Sequence, residues 1–146
     1  MIAQPDIASI PKVANKAQIV KARQNKRENY ISGIDSTGDD LFLKINVLPD
    51  NKCKGGFTRG EHLCFAEMSK DEEESACSLM PGSPIVSYIG QSWTLLGLAS
   101  FSKRCKGQQK KALNIVSYRR WINKIISTLV YASVFIFLFI LVESQD

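Results

Sequence analysis

A long uncharged stretch near the end of the chain most limits what the sequence can fold into. Eighteen consecutive residues, 125–142, contain no charged side chain, and residues 134–142 are all apolar. As an α-helix at about 1.5 Å per residue they would measure roughly 27 Å, close to the roughly 30 Å hydrocarbon thickness of a bilayer. Ser127, Thr128 and Ser133 fit such a helix, because their hydroxyls can bond to the backbone of the preceding turn. The stretch predicts a single membrane span; a buried core helix and a lipid-anchor signal are the alternatives.

The flanking sequence bears on topology. Residues 1–28 show no basic segment followed by an apolar one, so no signal peptide is expected. Residues 103–124 carry eight Lys or Arg and no acidic residue, which favours a cytoplasmic side. Taken as written, the chain is expected to be tail-anchored with a cytosolic body, where its cysteines would stay reduced.

The body of the chain reads as short strands and turns. Residues 1–28 are polar with six Lys or Arg and are predicted to be a linker or arm, and residues 143–146 form a polar tail. Gly90-Gln91 separates two apolar runs and indicates a hairpin. Leu41, Leu43, Ile45 and Val47 alternate as in a half-buried strand. We predict six strands, over residues 29–33, 41–48, 63–68, 84–89, 92–101 and 112–117. This spacing is typical of an all-β barrel or sandwich.

Several site classes are unsupported by the composition. His62 is the single histidine, so no site that needs two histidines is expected. The four cysteines are far apart in sequence and lack the close pairs of zinc sites, so neither metal nor cofactor is expected. The net charge of +5 comes without an aromatic-interleaved RNA-binding motif, so nucleic acid is not an expected partner. The acidic residues 71–74 read as a solvated loop.

An ordered set of motifs runs through residues 29–124. Residues 77–86, Cys-Ser-Leu-Met-Pro-Gly-Ser-Pro-Ile-Val, resemble the nucleophile segment Cys-x-Gly-Asp-Ser-Gly-Gly-Pro-Leu-Val of chymotrypsin/trypsin-like serine proteases. Residues 99–102 followed by Cys105 resemble the family's Val-Ser-Trp-Gly strand and its following cysteine. Residues 118–122 match its Tyr-x-x-Trp-Ile, and residues 30–33 resemble its Tyr-Val-Thr-Gly.

This resemblance implies a fold and a pairing of cysteines. The fold is all-β, a single six-stranded antiparallel barrel over residues 29–124 that corresponds to the second half of a trypsin-like double barrel. A C-terminal helix follows and continues into the membrane span at 125–142. The resemblance also implies disulfides Cys53–Cys64 and Cys77–Cys105, one of three possible pairings. A longer parent protein with a signal peptide and the first barrel would place these bonds outside the cell.

Residue by residue, the positions that match the family's active site are degenerate. Pro81 stands at the nucleophile and has neither a hydroxyl nor a backbone N–H for an oxyanion hole. Leu79 replaces a glycine, and its Cβ disfavours a positive φ. Met80 replaces the aspartate that receives the new amino terminus on activation. Ser75 stands at the floor of the specificity pocket and predicts no preference for basic side chains.

The remaining candidate groups do not rebuild a triad. The family's catalytic histidine and aspartate belong to the first barrel, which this chain lacks. His62 lies in a loop that the family does not use for catalysis, and Ser83 is one residue beyond the nucleophile turn. The sequence therefore predicts a catalytically inactive, membrane-anchored protease homologue that acts by binding an unidentified protein, with its unpaired barrel face available for association. The alternative is a fragment or isoform of a longer protease-like membrane protein with residual or unrelated hydrolase activity.

Overall fold

The computed structural model describes residues 11–24, 28–68, 75–100 and 109–143, with side chains described up to residue 131 and at residue 133. Seven strands and two α-helices follow one another along these residues. They are β1 Lys12–Val13, α1 Lys16–Gln24, β2 Asn29–Ile34, β3 Asp40–Leu48, β4 His62–Glu67, β5 Pro84–Ile89, β6 Ser92–Ala99, β7 Gln109–Asn114 and α2 Ile115–Glu143. Short 3-10 turns span Asp50–Lys52 and Ala76–Ser78.

Strands β2 to β7 close into a six-stranded antiparallel barrel. The strands neighbour one another in the order β6-β5-β2-β3-β4-β7, and the pairing of β6 with β7 completes the ring. The two-residue strand β1 pairs in parallel with β6 outside this ring. The predicted single six-stranded barrel followed by a C-terminal helix is confirmed, and five of the six strands lie within two residues of their predicted bounds.

The alternation in β3 builds one wall of the core. Leu43, Ile45 and Val47 point inward and are at most 6% exposed, and Leu41 packs against the same cluster. Phe65 on the neighbouring strand β4 is 1% exposed and completes this wall. Full burial of a large aliphatic or aromatic side chain contributes about 1.5–3 kcal/mol, so this face provides much of the driving force for barrel closure.

Part of the segment predicted to be a polar linker packs on the barrel. Residues 1–10 and 25–27 lie outside the described residues, but α1 buries Ile19 and Ala22, and Asn29 donates a 2.8 Å hydrogen bond to the Ala22 carbonyl. Asn15 and Gln18 exchange reciprocal side-chain to backbone bonds at the start of α1. This is a capping-box arrangement, a signal that the polar composition of the segment masks.

The boundary between β7 and α2 lies earlier than the sequence predicts. Strand β7 ends at Asn114 instead of residue 117, and α2 begins at Ile115, which is 5% exposed. Asn114 Oδ1 accepts the N–H of Val116 at 3.1 Å, the bond of an N-cap. The strand also starts three residues earlier than predicted, at Gln109, and it contains Lys110, which is buried beside a carboxylate. Hydrophobic alternation does not indicate a strand position for a buried lysine.

The predicted β5–β6 hairpin is confirmed, and its turn offers a stabilising substitution. Gly90 and Gln91 both have positive φ, 57° and 62°. A residue with a Cβ pays about 1 kcal/mol for that conformation, whereas glycine does not. We expect Gln91→Gly to raise the free energy of unfolding by about 1 kcal/mol in urea titration. The control Gln24→Gly, in the last turn of α1, should lower it instead.

Helix α2 packs on the barrel at its first residues and extends away from it toward the C-terminus. Ile115 is buried, whereas Leu129 and Tyr131 are 64% and 68% exposed. The hydroxyls of Ser127 and Thr128 donate to the Lys124 carbonyl at 2.9 and 2.8 Å, as predicted from the sequence. Among the residues that the structure describes, no helix combines the length and the apolar character needed to cross a membrane.

Candidate functional site

The segment that matches the nucleophile turn runs from the 3-10 turn Ala76–Ser78 to the start of β5. Leu79 is extended, with φ −69° and ψ 147°, and its side chain is 3% exposed in the core. It forms an isolated bridge with Asp35, and the Met80 side chain is exposed. Gly82 has φ +95°, so the positive φ falls after Pro81 and not at Leu79. The chain thus takes an ordinary conformation at the position where the resemblance expects glycine.

Every backbone N–H of this turn is used inside the protein. Leu79 donates to the Ala76 carbonyl at 3.3 Å and Met80 to the Ile34 carbonyl at 3.1 Å. Gly82 donates to the Ala99 carbonyl at 2.8 Å, and Ser83 to the Met80 carbonyl at 3.2 Å. Pro81 has no N–H. An oxyanion hole needs two free donors that converge on one point, and residues 79–83 present none.

Ser83 is buried and its hydroxyl is engaged. The side chain is 6% exposed, and Oγ donates to the Met80 carbonyl at 2.7 Å. Gly33 on β2 lies directly against it, because a Cβ on Gly33 would stand 2.3 Å from Ser83 Oγ. The glycine therefore provides the space that the serine fills. Nothing in these contacts activates the Ser83 hydroxyl as a nucleophile.

Ser75 and the residues around it form a hydrogen-bonded cluster. The Ser75 hydroxyl donates to Glu67 Oε1 at 3.1 Å and accepts the Cys77 N–H at 3.3 Å. The same Glu67 oxygen accepts the Ala76 N–H and lies 3.2 Å from Lys110 Nζ. Lys110 is 5% exposed and Glu67 19%. This ion pair ties β4 and β7 to the segment that leads into the turn, and sequence reasoning missed both charged residues.

His62 is a structural residue of β4 and the loop before it. Its Nδ1 accepts the Thr58 N–H at 3.1 Å, and its ring lies 6.4 Å from that of Phe57. Throughout the described ranges, no hydrogen bond joins His62 to residues 79–83. The structure therefore does not bring the histidine and Ser83 together as a base and a nucleophile.

One of the two implied disulfides is present in the described residues. Cys53 and Cys64 are bonded, with their Cα atoms 5.9 Å apart. Cys77 is disulfide-bonded as well. Its expected partner Cys105 lies outside the described residues, as do the acidic residues 71–74. In the described ranges, no group of three or more His, Cys, Asp or Glu side chains is arranged to hold a metal ion.

The loop beside the turn contains a carboxylate with a perturbed pKa. A hydrogen bond from the Thr37 hydroxyl, followed by one from the Asp39 N–H, holds the pKa of Asp35 below its ordinary value. A lowered folded-state pKa stabilises the protein above the ordinary pKa, and this contribution is lost as the pH falls through the folded value. We expect NMR titration to show the lowered pKa, and Thr37→Val, which removes the main donor, to return it toward normal. An unchanged pKa in Thr37→Val would contradict this assignment.

The outer surface of the barrel carries an apolar groove of about 480 Å³. Tyr30 stacks on Phe42 with ring centroids 4.6 Å apart, and Trp93 packs edge-on against Tyr30. The groove is lined by Pro11, Ser32, Phe42, Pro84, Val86, Trp93, Leu95 and Leu98. A concave apolar surface of this size is a candidate contact surface.

The chain is similar to known proteins in its fold, and its matches are to solved structures. No protein-family model matches the chain. Among solved structures, the chain is similar to the NS6 protease from murine norovirus 1, with 15% sequence identity and a TM-score of 0.49. The match covers 71% of this chain and 53% of the viral protein, so the chain spans about half the length of that protease.

Proposed function

We propose that this chain is a catalytically inactive relative of the chymotrypsin/trypsin-like serine proteases, that its barrel corresponds to the second barrel of those enzymes, and that it acts by binding another protein. The ordered motifs over residues 29–124 support the family assignment. The closed antiparallel barrel, the Cys53–Cys64 disulfide and the C-terminal helix agree with the fold that those motifs imply. The apolar groove offers a surface for the binding role.

The observation that carries the proposal is the hydrogen bonding of residues 79–83. Catalysis of this type needs a nucleophile, a base in contact with it and an oxyanion hole. Pro81 offers neither a hydroxyl nor an N–H, and the N–H groups of the other four residues all donate to carbonyls of this chain. A second chain that supplied a histidine would still meet a turn without a nucleophile or a free donor.

Labelling with a fluorophosphonate serine probe tests this proposal. The unmodified chain should stay unlabelled, and so should a variant with Leu79→Gly, Met80→Asp, Pro81→Ser and Ser83→Gly, which regains a serine but has no histidine base. An active trypsin-like protease serves as the positive control. Labelling of any serine in the unmodified, folded chain would contradict the assignment as an inactive homologue.

The proposal includes attachment to a membrane through residues 125–142. The absence of charge over eighteen residues supports it, as do the exposed apolar side chains of Ile125, Ile126 and Leu129 on α2. We expect the full chain to remain in membranes after washing with sodium carbonate, and a chain lacking residues 125–142 to be released. Release of the full chain by carbonate would contradict the anchor. Glycosylation-site tagging of both ends would decide whether the barrel is extracellular or cytosolic.

A further inference from the structure

The turn of α2 that precedes the uncharged stretch carries an unusual set of side chains. Arg120 and Lys124 are exposed, Arg119 is half-buried, and Trp121 is 62% exposed. Across the described ranges, no ion pair involves any of these three cations. Basic side chains next to an exposed tryptophan are typical of the boundary between membrane and water.

Helix geometry turns Arg120 and Lys124 away from the barrel, whereas the half-buried Arg119 lies toward the barrel side of α2. Ile115 is buried and Ile122 packs against the core, seven residues later on the same face of α2. At about 100° per residue, Arg120 and Lys124 lie on the opposite face. Arg119 to Lys124 rises about 7.5 Å along the helix, comparable with the roughly 5–7 Å thickness of one headgroup layer. The cations are therefore spread over the depth that lipid phosphates would occupy.

The barrel is joined to this turn without a flexible linker. Helix α2 begins directly at the end of β7 and continues unbroken to Glu143. Asn114 Nδ2 donates to the Gly60 carbonyl at 3.0 Å, and the Ser117 hydroxyl donates to the same oxygen. These bonds attach the first turn of α2 to the loop closed by the Cys53–Cys64 disulfide. Because of these contacts, any orientation in which α2 is held also determines the orientation of the whole barrel.

We propose that Arg119, Arg120, Trp121 and Lys124 form a binding site for anionic phospholipid headgroups, which holds the barrel at a fixed orientation against the bilayer. This inference rests on the proposed membrane anchor. The guanidinium and ammonium groups pair with headgroup phosphates and carboxylates, and the indole ring enters the interface beside them. Because the contact is ionic, it weakens as the salt concentration rises.

Acrylamide quenching of tryptophan fluorescence tests the site in the full chain reconstituted into vesicles. Of the two tryptophans, Trp93 is only 7% exposed, so quenching reports mainly on Trp121. Vesicles of phosphatidylcholine alone are compared with vesicles that also contain phosphatidylserine. We expect phosphatidylserine to reduce the quenching and to shift the emission to shorter wavelength, with both effects lost at high salt.

Two triple variants separate the site from the overall charge. Arg119→Gln, Arg120→Gln and Lys124→Gln together should abolish the response to phosphatidylserine. In the control, the exposed residues Lys12, Lys16 and Lys21 are all replaced by glutamine. This variant loses the same amount of charge and should keep the response to phosphatidylserine. This inference alone would be overturned if the chain stays in the membrane after a carbonate wash but its tryptophan quenching is the same with and without phosphatidylserine. Equal loss of the phosphatidylserine response in both triple variants would also overturn it. Release by carbonate would overturn the anchor proposal as well.

Discussion

Replacement of Gly33 by alanine is expected to lower the free energy of unfolding by about 3 kcal/mol, the upper part of the range for overpacked cores. The new Cβ would stand 2.3 Å from Ser83 Oγ and 3.1 Å from Ser83 Cβ. Ser83 cannot move away freely, because its N–H and hydroxyl both bond to the Met80 carbonyl and its own carbonyl accepts the Ala99 N–H. The clash therefore has to displace β2 or the turn itself. Urea titration measures the change.

A double-mutant cycle assigns this effect to the Gly33–Ser83 contact. Ser83→Gly removes the two atoms that the new Cβ would crowd and leaves only an ordinary 3.5 Å contact with Leu79 Cδ2, so Gly33→Ala should cost much less in the Ser83→Gly background than alone. The single variant Ser83→Gly provides the fourth corner of the cycle. Equal costs of Gly33→Ala in the two backgrounds would show that this close approach does not determine the packing of the turn.

Removal of the Glu67 carboxylate is expected to destabilise the protein by about 3 kcal/mol, the lower end of the range for breaking a buried ion pair. Glu67→Ala removes the carboxylate that lies 3.2 Å from the buried Lys110 Nζ in the native protein. It also removes the acceptor of the Ser75 hydroxyl and the Ala76 N–H. We expect loosening to reach the Cys77 segment, and hydrogen exchange at Ala76 and Cys77 should increase.

Two further variants test whether the loss of stability in Glu67→Ala comes mainly from the ion pair or from the hydrogen bonds. Glu67→Gln keeps an acceptor oxygen and should cost less than Glu67→Ala. Glu67→Met combined with Lys110→Met removes both charges and should recover a large part of the lost stability, because apolar pairs often replace buried ion pairs without loss. If the double variant is as unstable as Glu67→Ala, the loss of this ion pair is not the cause of the destabilisation.

The barrel strands could be predicted from the sequence because their signals are local. Leu43, Ile45 and Val47 are spaced with the two-residue period of a strand, and Gly90-Gln91 is a turn signal between two apolar runs. Both signals act over a few residues, so no knowledge of distant contacts is needed. These local signals predict six strands, and the family resemblance favours a barrel over a sandwich.

The features that were missed depend on contacts between residues far apart in the chain. Lys110 points inward because Glu67 on a neighbouring strand neutralises it, and hydrophobic patterning takes a lysine as exposed. The packing of α1 on the barrel was also missed, because only Ile19 and Ala22 of its nine residues are buried and most of the others are polar. At the candidate site, the missing hydroxyl of Pro81 could be read from the sequence. The use of the neighbouring N–H groups required the coordinates of Ile34 and Ala99.

Amide hydrogen exchange of residues 79–83, followed by NMR, shows whether the turn keeps any N–H group free to form an oxyanion hole. An oxyanion hole requires free N–H groups, whereas Leu79, Met80, Gly82 and Ser83 all donate to internal carbonyls. Hydrogen-bonded amides exchange only when the local structure opens. We predict that all four amides are protected, with Gly82 and Ser83 protected to a degree similar to Ala99. Exchange of Leu79 or Gly82 at the rate of an unfolded peptide would reveal a free donor in the turn and contradict the proposal that this turn has no oxyanion hole.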